Sequence, residues 1–141
     1  MALRIRPVTD VDVESVVELW RACGLTRPWN DPYADIRRAR GVWPDLLLVA
    51  VDEEEIVGAV MAGYDGHRGW LYYLAVAPNR QGDGIGRRLV EEAEARLRDL
   101  GCPKVMLMVR PDNRGVLDYY AGLGYIHEDT ALTGKRLIPD G

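Results

Sequence analysis

LAVAPNRQGDGIGRRL, residues 74–89, joins an apolar, strand-like run to a strong amphipathic helix through a polar loop with three glycines. Strand, glycine-rich loop and helix N-terminus, in this order, form an anion site from backbone N–H groups. The loop does not match the dinucleotide fingerprint, because no glycine stands five residues after Gly82 or Gly84, and no Gly-Lys-Ser/Thr follows. What remains is the pattern Gln-x-x-Gly-x-Gly over residues 81–86, a different phosphate cradle.

The residues of this loop suit a ligand with two phosphates. Glycines at positions 82, 84 and 86 are expected to allow positive φ and a close approach of backbone to ligand. Cationic side chains that can add charge-assisted contacts stand beside them: Arg80, Arg87 and Arg88. The alternative is a flexible loop that only connects the strand to the helix. Three glycines next to three arginines favour a pyrophosphate site.

The length and composition of the chain limit the classes of protein to which it can belong. Its 141 residues are expected to form one domain, 1–141, with a sizeable core. A net charge of −4 disfavours general nucleic-acid binding, because no basic excess displaces phosphate counterions. No signal peptide or membrane-length apolar run is visible, which predicts a cytoplasmic protein without a membrane partner. Cys23 and Cys102 lack metal-ligand spacing, so we interpret them as small buried residues.

Periodicity and turn signals predict an α/β fold with a mixed sheet. Strands are predicted at 3–8, 46–51, 56–64, 70–76 and 104–109, with two more within 125–138. Helices are predicted at 13–23, 32–40, 85–100 and 114–123. The sheet is expected to be antiparallel at first and parallel at the strand–helix–strand crossover of residues 70–109. The helix in that crossover has the clearest apolar stripe: Ile85, Leu89, Ala93, Leu97 and Leu100.

Two motifs resemble those of the GNAT superfamily of N-acetyltransferases. The run Ala75-Val76-Ala77-Pro78, followed by Gln81 to Gly86, resembles its acyl-CoA motif. Asn113, seven residues before Tyr120 and followed by Gly-Leu-Gly-Tyr at 122–125, is similar to its Asn-x7-Tyr pattern. The element order also matches, so the resemblance covers essentially the whole chain. The runs at 27–32, 63–68 and 134–137 further resemble the small bacterial YpeA-like branch.

The resemblance implies a fold and an activity. The fold would be a GNAT-like mixed sheet of six to seven strands, splayed at its centre and flanked by about four helices. The protein would transfer an acetyl group from acetyl-CoA to a primary amine by direct attack in a ternary complex, without a metal. The amine would belong to a small molecule, a protein N-terminus or a lysine.

The same resemblance assigns the cofactor contacts. The pyrophosphate would lie on the amides of residues 81–86, and the pantetheine arm would pair with the backbone near Leu74 and Val76. The residues implied are Leu74, Ala75, Val76, Gln81, Gly82, Asp83, Gly84, Ile85, Gly86, Arg87, Asn113 and Tyr120. Asn113 would bond the pantetheine or its activated carbonyl, although a helix-cap role is equally compatible.

Tyr120 is implied as the catalytic acid that protonates the leaving thiolate. A tyrosine of ordinary pKa near 10 can give a proton to a thiolate of pKa near 8.5, slightly uphill, in a site that excludes water. The alternative is a core aromatic residue on a short helix beside Tyr119.

The general base is not identified by the sequence. Many relatives carry a glutamate on the strand before the loop, but residues 70–76 contain no carboxylate. Tyr72 and Tyr73 stand there instead and are expected to face opposite sides of the sheet. One of them would line the substrate cleft and hold a water that relays the amine proton. Asp65 and His67 are alternative bases, although exposed turn residues are commoner there.

Acceptor contacts are expected at the joint between the first two helices. Arg27, Trp29, Asn30 and Asp31 combine a flat aromatic ring with hydrogen-bonding groups, and Tyr72 is a further candidate. A structural role for Trp29, filling the helix corner, is the alternative.

Two other functions stay open at this stage. An acyl-CoA-binding sensor or interaction module would keep the cradle and lose turnover, and the missing carboxylate is its best support. A phosphate-binding module for another nucleotide is the third reading. The sequence does not identify the acceptor or the oligomeric state, and a homodimer stays open.

Overall fold

A computed structural model describes residues 3–139, which form two compact units, residues 3–107 and Met108–Pro139. The larger unit carries the strands β1 (Leu3–Pro7), β2 (Leu47–Asp52), β3 (Glu55–Tyr64), β4 (Gly69–Val76) and β5 (Val105–Leu107). Its helices are α1 (Val13–Ala22), α2 (Pro32–Val42) and α3 (Ile85–Asp99), with 3-10 turns at Asp10–Asp12 and Pro78–Arg80. The smaller unit contains α4 (Arg114–Gly122).

The five strands form one mixed sheet in the order β1-β2-β3-β4-β5. The first three pairings are antiparallel and the β4–β5 pairing is parallel, which confirms the predicted arrangement. The predicted crossover is β4–α3–β5. Its parallel pairing is short, from Gly69↔Val105 to Leu71↔Leu107.

The prediction of six to seven strands is wrong for the part of the chain that the structure describes. Residues 125–138, expected to hold two strands, contain no strand, and β5 covers three residues instead of the predicted 104–109. The apolar side chains in this stretch are too few and too far apart to bury one face. Ile126 and Leu137 are each 85% exposed, and the polar run 127–130 and the basic run 134–136 surround them.

One hydrophobic core lies between the sheet and helices α1 and α2. Trp20 of α1 is fully buried. Side chains from β2, β3 and β4 meet it on one face of the sheet, which we call the α1/α2 face. The buried members of this core are Val8, Val16, Val17, Leu19, Trp20, Ile36, Leu47, Val49, Val51, Ala59, Met61 and Ala75.

Helix α3 packs on the opposite face of the sheet at a glycine. A Cβ built on Gly58 would lie 2.9 Å from Leu89 Cδ1, 3.0 Å from Ile85 Cγ2 and 3.2 Å from the Ala75 carbonyl oxygen. Gly58 thus lets the first two turns of the helix approach β3. The predicted stripe of α3 is buried except for Leu100, which follows the helix and is 44% exposed.

Gly58→Ala is expected to destabilise the fold by about 1–3 kcal/mol, because the new methyl group overpacks the contact with α3. Urea unfolding measures the change. Gly41→Ala is the matched control, since a Cβ there meets nothing within 4 Å and Gly41 lies inside α2. The control should be neutral or slightly stabilising. Equal stability of the two variants would show that α3 does not depend on close approach at Gly58.

A half-buried ion pair closes the start of α1. Asp12 Oδ2 lies 2.6 Å from Arg6 Nη1 and accepts from the Thr9 N–H at 2.8 Å and the Thr9 hydroxyl at 2.9 Å. A second bond joins Arg6 Nη2 to Asp12 Oδ1 at 3.1 Å. These donors, Arg6 above all, lower the pKa of Asp12 to about 2 against the opposing effect of burial.

Asp12 is expected to make stability pH-dependent in the acid range. Its folded pKa is depressed, so its contribution is complete above the unfolded value of 3.8 and is lost as pH falls through about 2. Asp12→Asn should therefore cost roughly 2 kcal/mol at neutral pH and flatten the acid limb of the stability curve. Urea unfolding at several pH values from about 2 to about 7 measures both the loss of stability and the flattened acid limb.

The control is Asp10→Asn, because Asp10 also pairs with an arginine, Arg40, at 2.8 Å, but its side chain is 93% exposed. An exposed pair is worth about 0–1 kcal/mol. An Asp12 variant no less stable than this control would contradict the assignment.

Candidate active site

The loop between β4 and α3 has the backbone conformation that its glycines predicted, with one exception. Gly82 has φ +92° and Gly84 has φ +81°, and a Cβ built on either would meet nothing within 4 Å. The loop therefore lines open space and not a packed interior. Gly86 departs from the expectation of a positive φ, because it is already a buried residue in the first turn of α3.

The start of α3 presents backbone donors. Gly84 is the N-cap, and the Arg88 N–H bonds to the Gly84 carbonyl at 3.2 Å. The N–H groups of residues 85–87 precede that bond and have no partner inside the helix. The first turn contains no acidic side chain and no side-chain cap, so its partial positive charge is not balanced by the helix itself.

The three arginines around the loop differ in role. Arg80 Nη2 lies 2.9 Å from Asp52 Oδ2, and Arg80 Nε lies 3.3 Å from Asp83 Oδ2. Arg80 thus ties the loop to Asp52 at the end of β2. Arg87 and Arg88, by contrast, are exposed on α3.

Beyond Leu71, strand β4 continues for five residues past its last pair with β5. The Ala77 N–H bonds to the Val57 carbonyl at 2.9 Å, so the neighbouring pair Gly58↔Val76 is the non-bonded kind and the polar groups of Val76 point away from β3. The Val76 carbonyl accepts from Cys23 Sγ and from Gln81 Nε2, both at 3.3 Å. Gln81 therefore closes the loop back onto the strand.

A β-bulge changes the direction of the side chains in β4. The pairs Met61↔Tyr72 and Ala59↔Ala75 enclose one extra residue on β4, and Tyr73 has φ +54°. Paired residues point to the same side, and Met61, Ala59 and Ala75 all belong to the α1/α2 core. Tyr73 also packs against that core. The prediction that Tyr72 and Tyr73 face opposite sides is therefore wrong, because the bulge interrupts the alternation.

The hairpin between β3 and β4 is ordered by Asp65. Its Oδ1 accepts from the Arg68 N–H at 2.7 Å and the His67 N–H at 2.8 Å, and its Oδ2 accepts from Trp70 Nε1 at 3.2 Å. These donors lower the pKa of the Asp65 carboxyl, which opposes a role as general base. Burial raises the pKa of Tyr72, and the charge of Asp65 adds to the effect.

The segment between α1 and α2 separates into structural and exposed residues. Asp31 caps α2, its Oδ1 accepting from the Tyr33 N–H at 3.0 Å and the Ala34 N–H at 3.3 Å. The Asn30 N–H bonds to the Arg27 carbonyl at 3.1 Å. Trp29 is 55% exposed, so it does not fill the helix corner. Contact of Trp29, Asn30, Asp31 or Tyr72 with an acceptor stays a prediction.

The smaller unit carries the remaining two predicted site residues. Asn113 Oδ1 accepts from the Val116 N–H at 3.3 Å and so caps α4. Tyr120 is 9% exposed and makes edge contacts with Tyr119 and Tyr125, with ring centroids 5.4 and 5.6 Å apart. Burial, with a smaller effect of Tyr119, raises the pKa of Tyr120 to about 12.

Comparison with known proteins assigns this architecture to a family. The model of the acetyltransferase (GNAT) family matches residues 13–125. The chain belongs to this family. It is 50% identical over 138 residues to an acetyltransferase of Pectobacterium atrosepticum and 49% identical over 139 residues to an acetyltransferase of Sodalis glossinidius. In both cases the match covers 98% of each chain.

A solved structure agrees with the fold of this GNAT acetyltransferase. The PaiA N-acetyltransferase of Thermoplasma acidophilum, in complex with coenzyme A, superposes with a TM-score of 0.79 at 23% identity. The match covers 93% of this chain and 94% of that one. GNAT acetyltransferases use acetyl-CoA as co-substrate. Within residues 3–139, no three His, Cys, Asp or Glu side chains are grouped to hold a metal ion. No helix in the same range is long and apolar enough to span a membrane.

Proposed function

We propose that this protein transfers the acetyl group of acetyl-CoA to a primary amine by direct attack. The observation that supports this best is the start of α3. Three successive N–H groups, at residues 85–87, lie beyond a loop in which Gly82 and Gly84 adopt positive φ and leave open space. Aligned amides at a helix N-terminus suit a diphosphate and offer little to a neutral metabolite.

The thioester arm is proposed to continue along β4. The strand extends past Leu71 without pairing to β5, and the polar groups of Val76 point away from β3. A pantetheine amide can pair there as a short extra strand. Because the Val76 carbonyl already accepts from Cys23 and Gln81, we expect the Val76 N–H to be the group that pantetheine uses.

The chemical step is proposed as follows. The lone pair of a neutral amine attacks the thioester carbon, and the carbonyl oxygen becomes an oxyanion held by N–H groups of β4. The C–S bond then breaks, and Tyr120 gives its proton to the sulfur. The attacking nitrogen loses its extra proton to water as the amide forms, and a proton from water restores the phenol of Tyr120. Its pKa of about 12 keeps the phenol protonated throughout the neutral range, as a donor requires. Transfer to a thiolate of ordinary pKa is uphill, so we expect the proton to move late, with departure of the sulfur.

The test of the activity is release of free thiol. The protein is mixed with acetyl-CoA and a panel of amines that includes small polyamines, aminoglycosides, lysine-containing peptides and peptides with a free N-terminus. We expect stoichiometric thiol release and acetylated product with at least one amine. Tight binding of CoA without thiol release from any amine would support the sensor instead. Preference for ATP or NAD over CoA in a thermal-shift series would reject both.

Gly84→Ala is expected to weaken CoA binding about tenfold, because a left-handed alanine costs about 1–2 kcal/mol and displaces the first N–H groups of α3. Isothermal titration with CoA measures the affinity. The matched control is Gly101→Ala at the other end of α3, where φ is +88° and a Cβ also meets nothing within 4 Å. Both variants should lose similar stability, and only Gly84→Ala should lose affinity. Equal CoA affinity in the two would remove the loop from the binding site.

Tyr120→Phe is expected to lower kcat on the order of 100-fold, with little change in the affinity for acetyl-CoA. In the unsubstituted enzyme, a pKa of about 12 means that kcat should not decline up to roughly pH 10 through loss of this proton. The neighbouring Tyr119→Phe serves as control, since Tyr119 is 42% exposed. Steady-state thiol release at several pH values decides the matter, and an unchanged kcat in Tyr120→Phe would exclude it from the mechanism.

A further inference from the structure

The bulge in β4 is held by side chains from two helices. The Tyr73 hydroxyl donates to Asp35 Oδ2 of α2 at 2.6 Å. The Tyr73 ring stacks on Trp20 of α1, with centroids 3.9 Å apart and planes inclined by 9°. At the same residue the backbone has φ +54°, a conformation that an aromatic L-residue adopts at a cost in free energy. Such strain persists where the surroundings fix it.

The indole ring of Trp20 contributes a flat surface to the contact with Tyr73. The side chain is fully buried, and its Nε1 finds no hydrogen-bond partner among residues 3–139. An aliphatic side chain would fill this core without burying an unsatisfied N–H. What the indole adds is a large plane, and that plane lies against Tyr73.

The strained residue lies on the part of β4 that no longer pairs with β5, two residues past Leu71. A positive φ at Tyr73 reorients the peptide groups on either side of it, including the Leu74 N–H. Helices α1 and α2, which are remote from β4 in sequence, therefore set the direction of N–H groups on the edge of β4 to which we assign the thioester.

We propose that Asp35 and Trp20 are positioning residues for acetyl transfer. They clamp the Tyr73 side chain, and the clamp keeps the β4 bulge in the conformation that directs its N–H groups at the thioester oxygen. This inference rests on the proposed function. Asp35 acts as a hydrogen-bond acceptor for Tyr73 and has no direct part in the chemistry.

The test compares variants that keep or remove the acceptor. Asp35→Ala and Tyr73→Phe each delete the bond and should lower kcat about 10- to 100-fold, as small misplacements of catalytic groups do. Affinity for CoA should change little, because the loop at α3 holds the diphosphate. Asp35→Asn keeps an acceptor oxygen and should retain most of the kcat. Combining Asp35→Ala with Tyr73→Phe should lower kcat no further than either change alone.

The chain offers a matched control in a second phenol–carboxylate bond. The Tyr33 hydroxyl donates to Glu14 Oε1 at 2.7 Å in an exposed bond that joins α1 to α2. Tyr33→Phe should leave kcat unchanged. An equal loss of kcat in Tyr33→Phe and Tyr73→Phe would show a general effect of loosened helices and overturn the proposal.

A readout in the ligand-free protein separates this proposal from the acetyltransferase activity. The backbone amide resonance of Leu74 should shift in Asp35→Ala and Tyr73→Phe and stay near its original position in Asp35→Asn and Tyr33→Phe. If the protein releases no thiol with any amine, the activity fails while this measurement still tests the clamp. An unmoved Leu74 resonance in Tyr73→Phe, or an Asp35→Asn variant as slow as Asp35→Ala, would overturn the clamp.

Discussion

The close approach of α3 to β3 at Gly58 is the contact on which the site depends. Ile85 is the first residue of α3, and its side chain reaches the sheet because Gly58 has none. The first turn of the helix is thus fixed against a central strand before any ligand arrives. Gly84 then needs only to turn the chain into that helix. Rigid packing, more than contacts within the loop, sets where the unpaired N–H groups point.

An ion pair holds the start of the glycine loop. The sequence suggests Arg80 as a cation that contacts phosphate, but its side chain pairs with Asp52 and Asp83. Its side chain and that of Asp52 are 20% and 18% exposed, so the pair is screened less than a surface bridge. Arg80 therefore stiffens the entry to the loop, while the partial charge of α3 is left for an anion.

The sequence predicts those features whose cause is local. The apolar period of α3, the start of α2 at Pro32 and the positive φ of Gly82 and Gly84 follow from neighbouring residues, and the structure has them. Residues 70–76 contain no glycine or proline that would indicate the bulge at Tyr73. Its stabilising partners, Trp20 and Asp35, are far along the chain, so alternation wrongly placed Tyr72 and Tyr73 on opposite faces. The two strands expected after residue 124 are absent because the few apolar side chains there cannot bury one face of a sheet.

Strand β4 contains no carboxylate of its own between residues 70 and 76, but a carboxylate from α2 reaches it. This group, Asp35, accepts a hydrogen bond from the Tyr73 hydroxyl. Asp65 is bound by three N–H donors that lower its pKa, and the pKa of Tyr72 is raised, so neither makes an efficient proton acceptor at neutral pH. In the proposed mechanism the amine therefore arrives already neutral, and the residues of β4 contribute orientation and hydrogen-bond donors. The direction of the β4 N–H groups then limits the proposed reaction, and this gives the side chains of two helices that hold one strained residue a part in catalysis.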